Sequence, residues 1–424
     1  MKRAAGPLVL LAVSALAIWL VFVLFPHPPF SASPPTETSS LPQALSPIPP
    51  GNTIHGSVMD PEGKPVAGAT VRIKTTEQTS VTDEAGRFML SNLTPGEAVI
   101  LTAWASGYYI GGGSEAFLPG NGDVELTIAA HASVDNPDYQ WLSAFSQAGY
   151  SSSGEDGNCE NCHAGPENQN PALPFPEWLG DAHALSTQNP RFISMYLGTD
   201  LQGNQSPKTV FFSNRDYGRV PLRPDLSQPY YGPGYKLDFP DTAGNCSACH
   251  APAAAVNLAY GVDPTTLTGV ENEGIACDFC HKVWDVRLDT FTGLPYANMP
   301  GVLSLELRRP PEGHQFFAGP FDDVAPGEDT FTPVQQASQF CAACHYGVFW
   351  DTLVYNSFGE WLESPYSDPD RAEAAGLAAA QTCQDCHMPT GNTNLIAAPD
   401  KGGLPRDPIT IFSHRMPGAT DETL

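Results

Sequence analysis

The ten cysteines of this 424-residue chain all fall into five copies of one short pattern, Cys-x-x-Cys-His. Two thiols three residues apart lie on the same side of a helical turn, so they can form thioether bonds to the two vinyl groups of one porphyrin. The adjacent histidine then lies beneath the iron and supplies its first axial ligand. The pattern therefore predicts five covalently attached haems of the c type. The residues concerned are Cys159, Cys162 and His163; Cys246, Cys249 and His250; Cys277, Cys280 and His281; Cys341, Cys344 and His345; and Cys383, Cys386 and His387.

Two other uses of paired cysteines remain open. Cys-x-x-Cys pairs also build zinc sites, which take four ligands per metal, but zinc gives no reason for a histidine directly after every second cysteine. Exported chains with an even number of cysteines often carry disulfides, but adjacent Cys-x-x-Cys disulfides are usually redox-active rather than structural. Histidine occupies only 11 of 424 positions, so the probability that a histidine follows all five cysteine pairs by chance is negligible. Haem is therefore the preferred interpretation.

The N-terminus carries a second indication of export. Lys2 and Arg3 precede an apolar run from Gly6 to Phe25, and a run of about 20 residues is long enough to span a bilayer. The basic residues favour a cytoplasmic N-terminus, so the remainder would lie outside the cytoplasm. We predict an uncleaved transmembrane anchor over residues 1–25, with a cleaved signal peptide as the alternative. Either way the protein would be extracytoplasmic, on the periplasmic or cell-surface side, and the Pro-rich residues 26–52 would form an extended linker.

Residues 53–129 contain no cysteine and have the pattern of a small β-sandwich. Alternating polarity predicts strands at Ile54–Met59 and Ala69–Ile73, and Val99–Trp104 is a more continuous apolar run. Ile54–Val71 and Thr82–Phe88, with their glycine and proline punctuation, resemble the carboxypeptidase regulatory-like family, whose fold is a transthyretin-type sandwich. The resemblance implies a non-catalytic accessory module.

Residues 130–424 contain all five motifs and are predicted to form a mostly α and irregular haem domain. Helices are expected at Pro176–Leu185, Val334–His345 and Arg371–His387. The chain as a whole is therefore predicted to be multidomain, with an N-terminal transmembrane helix, a small all-β sandwich and a multihaem cytochrome c domain. The distances between successive motifs follow no fixed period, so the domain is not a simple repeat array.

Four segments of this region resemble the cytochrome c554 family of multihaem cytochromes, relatives of hydroxylamine oxidoreductase and the pentahaem nitrite reductases. They are Pro176–Ala184, Gly274–Val283, Phe358–Tyr366 and Thr382–Pro389. The first and third echo each other, with Tyr366 in the third where the first has His183. The resemblance is specific for the family but does not identify a reaction. The chain has no Cys-x-x-Cys-Lys motif, which is typical of the nitrite reductases, and no clear tyrosine crosslink signature, so no catalytic residue is predicted.

The second axial ligand decides between electron transfer and catalysis, because a second His or Met closes the iron whereas an open position binds small molecules. The resemblance implies that His183 and His414 are such ligands, and His314 is comparably placed after a loop. His131 is a fourth candidate. Four histidines for five irons leave one haem with another ligand or with none. The methionines that could fill this position are Met299, Met388 and Met416.

Charge narrows the choice of partners. Residues 131–424 contain 36 acidic and 14 basic side chains, within a chain of net charge −26. The negative electrostatic field of this excess of acidic residues repels nucleic acid and favours a basic redox partner, such as a basic cytochrome. We therefore expect an electron carrier that works with other redox proteins. The alternatives are an oxidoreductase that acts on a small nitrogen or sulfur compound at one open haem, and a cell-surface binding module that acts through the β-sandwich.

Overall fold

A computed structural model describes residues 51–146, 158–165, 170 and 172–418. The predicted anchor over residues 1–25 and nearly all of the predicted linker lie outside these residues. Within the described ranges, no helix has both the length and the apolar character needed to cross a membrane. The residues that the structure describes belong to one compact unit.

Seven strands form two facing sheets at the start of this unit. The first sheet has the order β4-β1-β7 and the second the order β3-β2-β5-β6. The β1/β7 pair is parallel, and the other pairs are antiparallel. The strands are β1 Ile54–Met59, β2 Thr70–Ile73, β3 Thr79–Val81, β4 Arg87–Leu90, β5 Val99–Trp104, β6 Gly111–Phe117 and β7 Val124–Thr127. The strands predicted from alternation are thus confirmed, with β2 beginning one residue later than expected.

The inner faces of the two sheets form the sandwich core. Ile54, Val58, Val71 and Leu101 are completely buried there, and Leu90 is nearly so. Full burial of an aliphatic side chain of this size contributes about 1.5–3 kcal/mol. The alternation that predicted the strands therefore also identified the residues that stabilise the sandwich.

The remaining residues form short helices and short sheets joined by irregular segments, so the region predicted as mostly α and irregular also contains short strands. The helices are Cys159–His163, Pro174–Leu179, Pro190–Leu197, Tyr235–Asp238, Ser247–His250, Pro252–Ala255, Cys277–Cys280, Gln339–His345, Ser357–Glu363, Pro369–Ala374 and Cys383–His387. The strand pairs are Phe211–Asn214 with Gly218–Pro221, Val283–Val286 with Leu305–Leu307, Phe317–Gly319 with Asp329–Phe331, and Gly347–Phe349 with Thr352–Tyr355.

The three predicted helices are all shorter than expected. The helix that begins at Pro174 ends at Leu179, and Leu185 adopts a left-handed conformation with φ +53°. The segment predicted as Val334–His345 divides into a 3-10 turn and the helix Gln339–His345.

A glycine and a cap divide the third predicted helix, Arg371–His387. Gly376, with φ +76°, follows the helix Pro369–Ala374, and glycine adopts this conformation at little cost. Thr382 and Asp385 then form a capping box that begins a new helix at Cys383.

Candidate haem-binding site

In the second, third and fourth motifs, a residue between the two cysteines anchors the motif in the protein interior. Ala248, Phe279 and Ala343 occupy this position and are buried in one hydrophobic cluster. Residues i and i+3 lie on one face of a helical turn, and the two between them do not share that face. Burial of the central residues therefore leaves both cysteines together on another face. All ten cysteines are among the described residues, and no disulfide joins any two of them.

The five motifs converge in space although they are spread from residue 159 to residue 387. Three pairs of thiols from different motifs lie within hydrogen-bonding range: Cys159 with Cys277, Cys249 with Cys344, and Cys341 with Cys383. Cys280 is also within electrostatic reach of Cys341 and Cys344. Each motif is thus adjacent to at least one other, with the third and fourth motifs at the centre of the cluster.

Three of the motif histidines are oriented by backbone carbonyls. Nδ1 of His163 donates to the Ile396 carbonyl at 2.7 Å, and Nδ1 of His281 donates to the Ala318 carbonyl at 2.7 Å. His387 makes the same bond to the Pro417 carbonyl at 2.8 Å. A proton fixed on Nδ1 leaves the lone pair on Nε2, which is how proteins prepare a histidine for a metal.

The buried motif histidines are uncharged at neutral pH. Burial lowers the pKa of His250 and of His345 to about 4, and the nearby His183 adds to both shifts. Burial also lowers the pKa of His163 and of His281. A metal ligand must present a neutral imidazole, so these rings are already in the required form.

His183 lies among the motif histidines, as the resemblance implied. Its ring centroid is 6.1 Å from that of His345, and it is close enough to His250 to affect its titration. Nδ1 of His183 donates to Asp181 Oδ1 at 2.6 Å. A carboxylate behind a ligating imidazole fixes its tautomer and raises its basicity. The arrangement suits His183 to an axial position.

His414 is also brought close to the motifs, near His163 and His281. Its backbone N–H donates to Glu177 Oε2 at 2.8 Å. Burial lowers the pKa of His414 to about 4, and its Nδ1 lies near the Phe412 carbonyl without a hydrogen bond of normal geometry. The neutral ring is compatible with the predicted role as a ligand.

The other two predicted ligands lie elsewhere. The side chain of His314 is 56% exposed and pairs with Glu328 at 2.8 Å. His131 is enclosed by the rings of Tyr109, Trp284 and Phe316, with centroid distances of 5.1–5.6 Å, and its Nε2 is buried without a partner. Ligation by His314 or His131 stays a prediction, since the structure does not bring either ring beside a motif histidine in the contacts described.

Replacement of His183 or His414 by Ala is expected to convert one low-spin haem to high-spin, because the iron loses one of its two nitrogen ligands. Electron paramagnetic resonance of the oxidised protein measures this change. His55→Ala is the matched control, because His55 lies on β1 of the sandwich and its ring bonds only to Thr53 among the contacts described. Spectra of H183A and H414A that match the control would contradict the assignment.

Trp178 fastens the His183 segment to the third motif. Its indole N–H donates to the Ile275 carbonyl at 2.9 Å, two residues before Cys277, and the Ile275 N–H donates to the His183 carbonyl at 3.1 Å. Gly274 makes this close approach possible, since a Cβ at that position would lie 2.5 Å from the Ser186 nitrogen.

Trp361 fastens its own segment to the fifth motif in the same way. Its indole N–H donates to the Gln381 carbonyl at 2.8 Å, two residues before Cys383. The Gln381 N–H donates to the Tyr366 carbonyl at 2.9 Å. The sequence echo between the two tryptophan segments thus corresponds to a repeated pattern of hydrogen bonds.

The β-sandwich contacts the segment 315–331 that orients His281. Arg72 on β2 makes two hydrogen bonds to the Asp322 carboxylate, at 2.6 and 3.1 Å, and Trp104 Nε1 donates to Thr330 at 3.0 Å. Ala318, which receives the bond from His281 and is completely buried, precedes Asp322 in this segment and pairs with Thr330 in the sheet. The sandwich therefore supports the third motif from outside.

The donor set fits haem c on these observations. No three His, Cys, Asp or Glu side chains within the described residues are grouped so that they could hold a metal ion by themselves. A haem iron needs at most two protein ligands, because the porphyrin supplies the others. Paired thiols and a neutral histidine with a fixed tautomer are the groups that such a cofactor requires.

Comparison with known proteins identifies the sandwich. The carboxypeptidase regulatory-like domain family matches residues 53–131, which confirms the resemblance found in the sequence. No curated protein is significantly similar to the chain.

Among solved structures, two mutants of a type II cohesin–X-dockerin complex from Acetivibrio cellulolyticus are 24% and 22% identical, with TM-scores of 0.15 and 0.16. The matches cover 18% and 19% of this chain, and this chain spans only 52% and 58% of the length of those two chains. The 3-chlorocatechol 1,2-dioxygenase of Rhodococcus opacus 1CP is 17% identical over 24% of this chain and 72% of its own, with a TM-score of 0.14.

Proposed function

We propose that the chain is an extracytoplasmic pentahaem c-type cytochrome that carries electrons. The observation that carries the proposal is the convergence of five Cys-x-x-Cys-His motifs into one continuous cluster, in which each motif adjoins another through its thiols. Close spacing of the attachment sites is the condition that electron transfer from one haem to the next requires. The family match at residues 53–131 concerns the sandwich alone, so the proposal depends on the motifs and their geometry.

The residues of the chain have separate tasks in this proposal. The cysteines attach the cofactor, and the histidine of each motif supplies the proximal ligand. His183 and His414 supply distal ligands. Haem supplies one-electron chemistry at its iron when it is bound. Ala318, Ile396 and Pro417 hold the proximal imidazoles through their carbonyls, so that a change of oxidation state requires little movement of the ligands.

The remaining parts determine where the protein acts. We place residues 1–25 in the cytoplasmic membrane as an anchor, with residues 26–52 as a spacer and residues 53–129 as a module that supports the cytochrome domain 130–424. The partners in this proposal are other redox proteins. A basic protein surface is the favoured partner, because the region beyond residue 130 carries a large excess of acidic side chains.

An anaerobic potentiometric titration with optical detection tests the proposal. We expect several overlapping one-electron waves, mostly at low potential, because nitrogen ligation stabilises ferric iron relative to methionine ligation. Turnover of nitrite, hydroxylamine or sulfite at enzyme-like rates, commonly about 1–1000 per second, would instead favour the alternative function, an oxidoreductase that acts at one open haem.

A further inference from the structure

The two tryptophan segments share four hydrogen bonds, and these bonds define equivalent positions. Besides the two bonds of each segment to its motif, the backbone N–H three residues after the tryptophan donates to the tryptophan carbonyl in both. These bonds are Asp181 to Trp178 at 2.9 Å and Ser364 to Trp361 at 3.0 Å. The side chain of that third residue then accepts the backbone N–H two residues later. Asp181 accepts from His183 at 2.9 Å and Ser364 from Tyr366 at 3.2 Å.

Tyr366 is therefore the structural counterpart of His183. Both residues lie five positions after the tryptophan, and both offer their carbonyl to the residue two positions before a motif cysteine. The side chains differ in their chemistry. Imidazole binds iron firmly in both oxidation states, whereas the neutral phenol of tyrosine is a weak ligand for ferrous iron. The support behind the ring differs as well, since Asp181 also binds Nδ1 of His183 and a serine stands in its place at position 364.

From this equivalence we infer that Tyr366 occupies the distal position of a haem that lacks a strong second ligand, and that this haem is a ligand-binding site of the protein. The inference depends on the proposed function, because it assigns a role toward bound haem. It accounts for the absence of a histidine at the position that His183 holds in the other segment. Tyr366 is 41% exposed, so a small molecule can reach this position from solvent.

The chemistry of the position favours a small uncharged ligand. The acidic surface repels anions, and the phenol hydroxyl can donate a hydrogen bond to the outer atom of a diatomic molecule. Carbon monoxide is a suitable probe because it is neutral and binds only ferrous iron with a free coordination position.

Reciprocal substitutions test the inference in the full-length, haem-loaded protein. The reduced wild type is expected to bind carbon monoxide at the haem beside Tyr366, and the oxidised protein to show a high-spin signal from that haem by electron paramagnetic resonance. Tyr366→His should reduce the carbon monoxide bound by one per chain and remove one high-spin haem, because it supplies the missing imidazole. His183→Tyr should do the opposite and add one bound carbon monoxide per chain. Tyr366→Phe should retain binding, which shows that loss in Y366H reflects ligation and not misfolding. Tyr217→His is the matched control, because Tyr217 is 81% exposed and lies outside both tryptophan segments.

Two results would overturn the inference while leaving the proposed function intact. One is a protein that carries five haems by mass but binds no carbon monoxide. The other is a Y366H variant that binds it as the wild type does. A wild-type mass without covalent haem would instead overturn the proposed function itself, so the two failures are distinguishable.

Discussion

Mass spectrometry of the denatured, purified protein is expected to show five haems covalently attached to each chain. Thioether bonds survive denaturation, so the cofactor stays with the polypeptide when the fold and the axial ligands are lost. Replacement of both cysteines of a motif by serine should remove the mass of one haem. Cys383→Ser with Cys386→Ser is the most direct variant, because the fifth motif lies at the edge of the cluster and Cys386 is exposed.

The third motif provides a contrasting variant. Cys277 adjoins the first motif, and Cys280 lies beside the fourth. Loss of haem here removes the apolar group that the neighbouring motifs are expected to pack against. We therefore expect the double serine variant at Cys277 and Cys280 to lose one haem and to be less stable than the variant of the fifth motif. Wild-type protein with clearly fewer than five haems, or with zinc or disulfides at these cysteines, would contradict the prediction.

The sequence was most informative where a repeated chemical pattern stands in a short segment. The strands β1, β2 and β5 follow from alternation and from an apolar run, because period 2 is a local property of a half-buried strand. The paired cysteines and their histidines are equally local. The lengths of the helices could not be judged in the same way, because Gly376 and the capping box at Thr382 override the helical composition around them.

The groups that orient the histidines could not be predicted. The carbonyls of Ala318, Ile396 and Pro417 carry no side-chain signal, and their distance in sequence from the histidines ranges from 30 to 233 residues. Asp181 is an exception, since a carboxylate two residues before a predicted ligand could have been recognised as its support. Glu177, which holds the backbone of His414, has no comparable signal.

The contact between the sandwich and the region beyond residue 130 could not be predicted from the sequence either. Arg72 and Asp322 are 250 residues apart, and in the sequence each looks like an ordinary charged surface residue. The surroundings of His131 could not be predicted from the sequence either. This residue was predicted as a ligand because it is a histidine outside the motifs. Its environment, an aromatic enclosure formed by Tyr109, Trp284 and Phe316, exists only after the two regions have packed together.

Lys282 adjoins His281 and is completely buried beside the third motif. Its ammonium group pairs with Asp278, whose carboxylate also accepts hydrogen bonds from the Tyr139 hydroxyl at 3.0 Å and the Leu142 N–H at 2.9 Å. Two buried charges are tolerated here only because each satisfies the other. Breaking such a pair by removing one partner leaves an uncompensated buried charge, which is strongly destabilising.

Lys282→Met is accordingly expected to lower the free energy of unfolding by about 3–5 kcal/mol, because the carboxylate of Asp278 is left without its counter-charge. Urea denaturation of the haem-loaded protein at pH 7, followed by far-ultraviolet circular dichroism, measures the change as a lower midpoint. Addition of Asp278→Asn should recover much of the loss, since the amide oxygen still accepts from Tyr139 and Leu142 while the charge is removed. Lys401→Met is the control at an exposed position, where the effect should stay within about 0.5 kcal/mol. A midpoint for K282M equal to that of the control would show that the buried pair contributes nothing to stability. The hydrogen bonds from Tyr139 and Leu142 would then be sufficient to stabilise the Asp278 carboxylate.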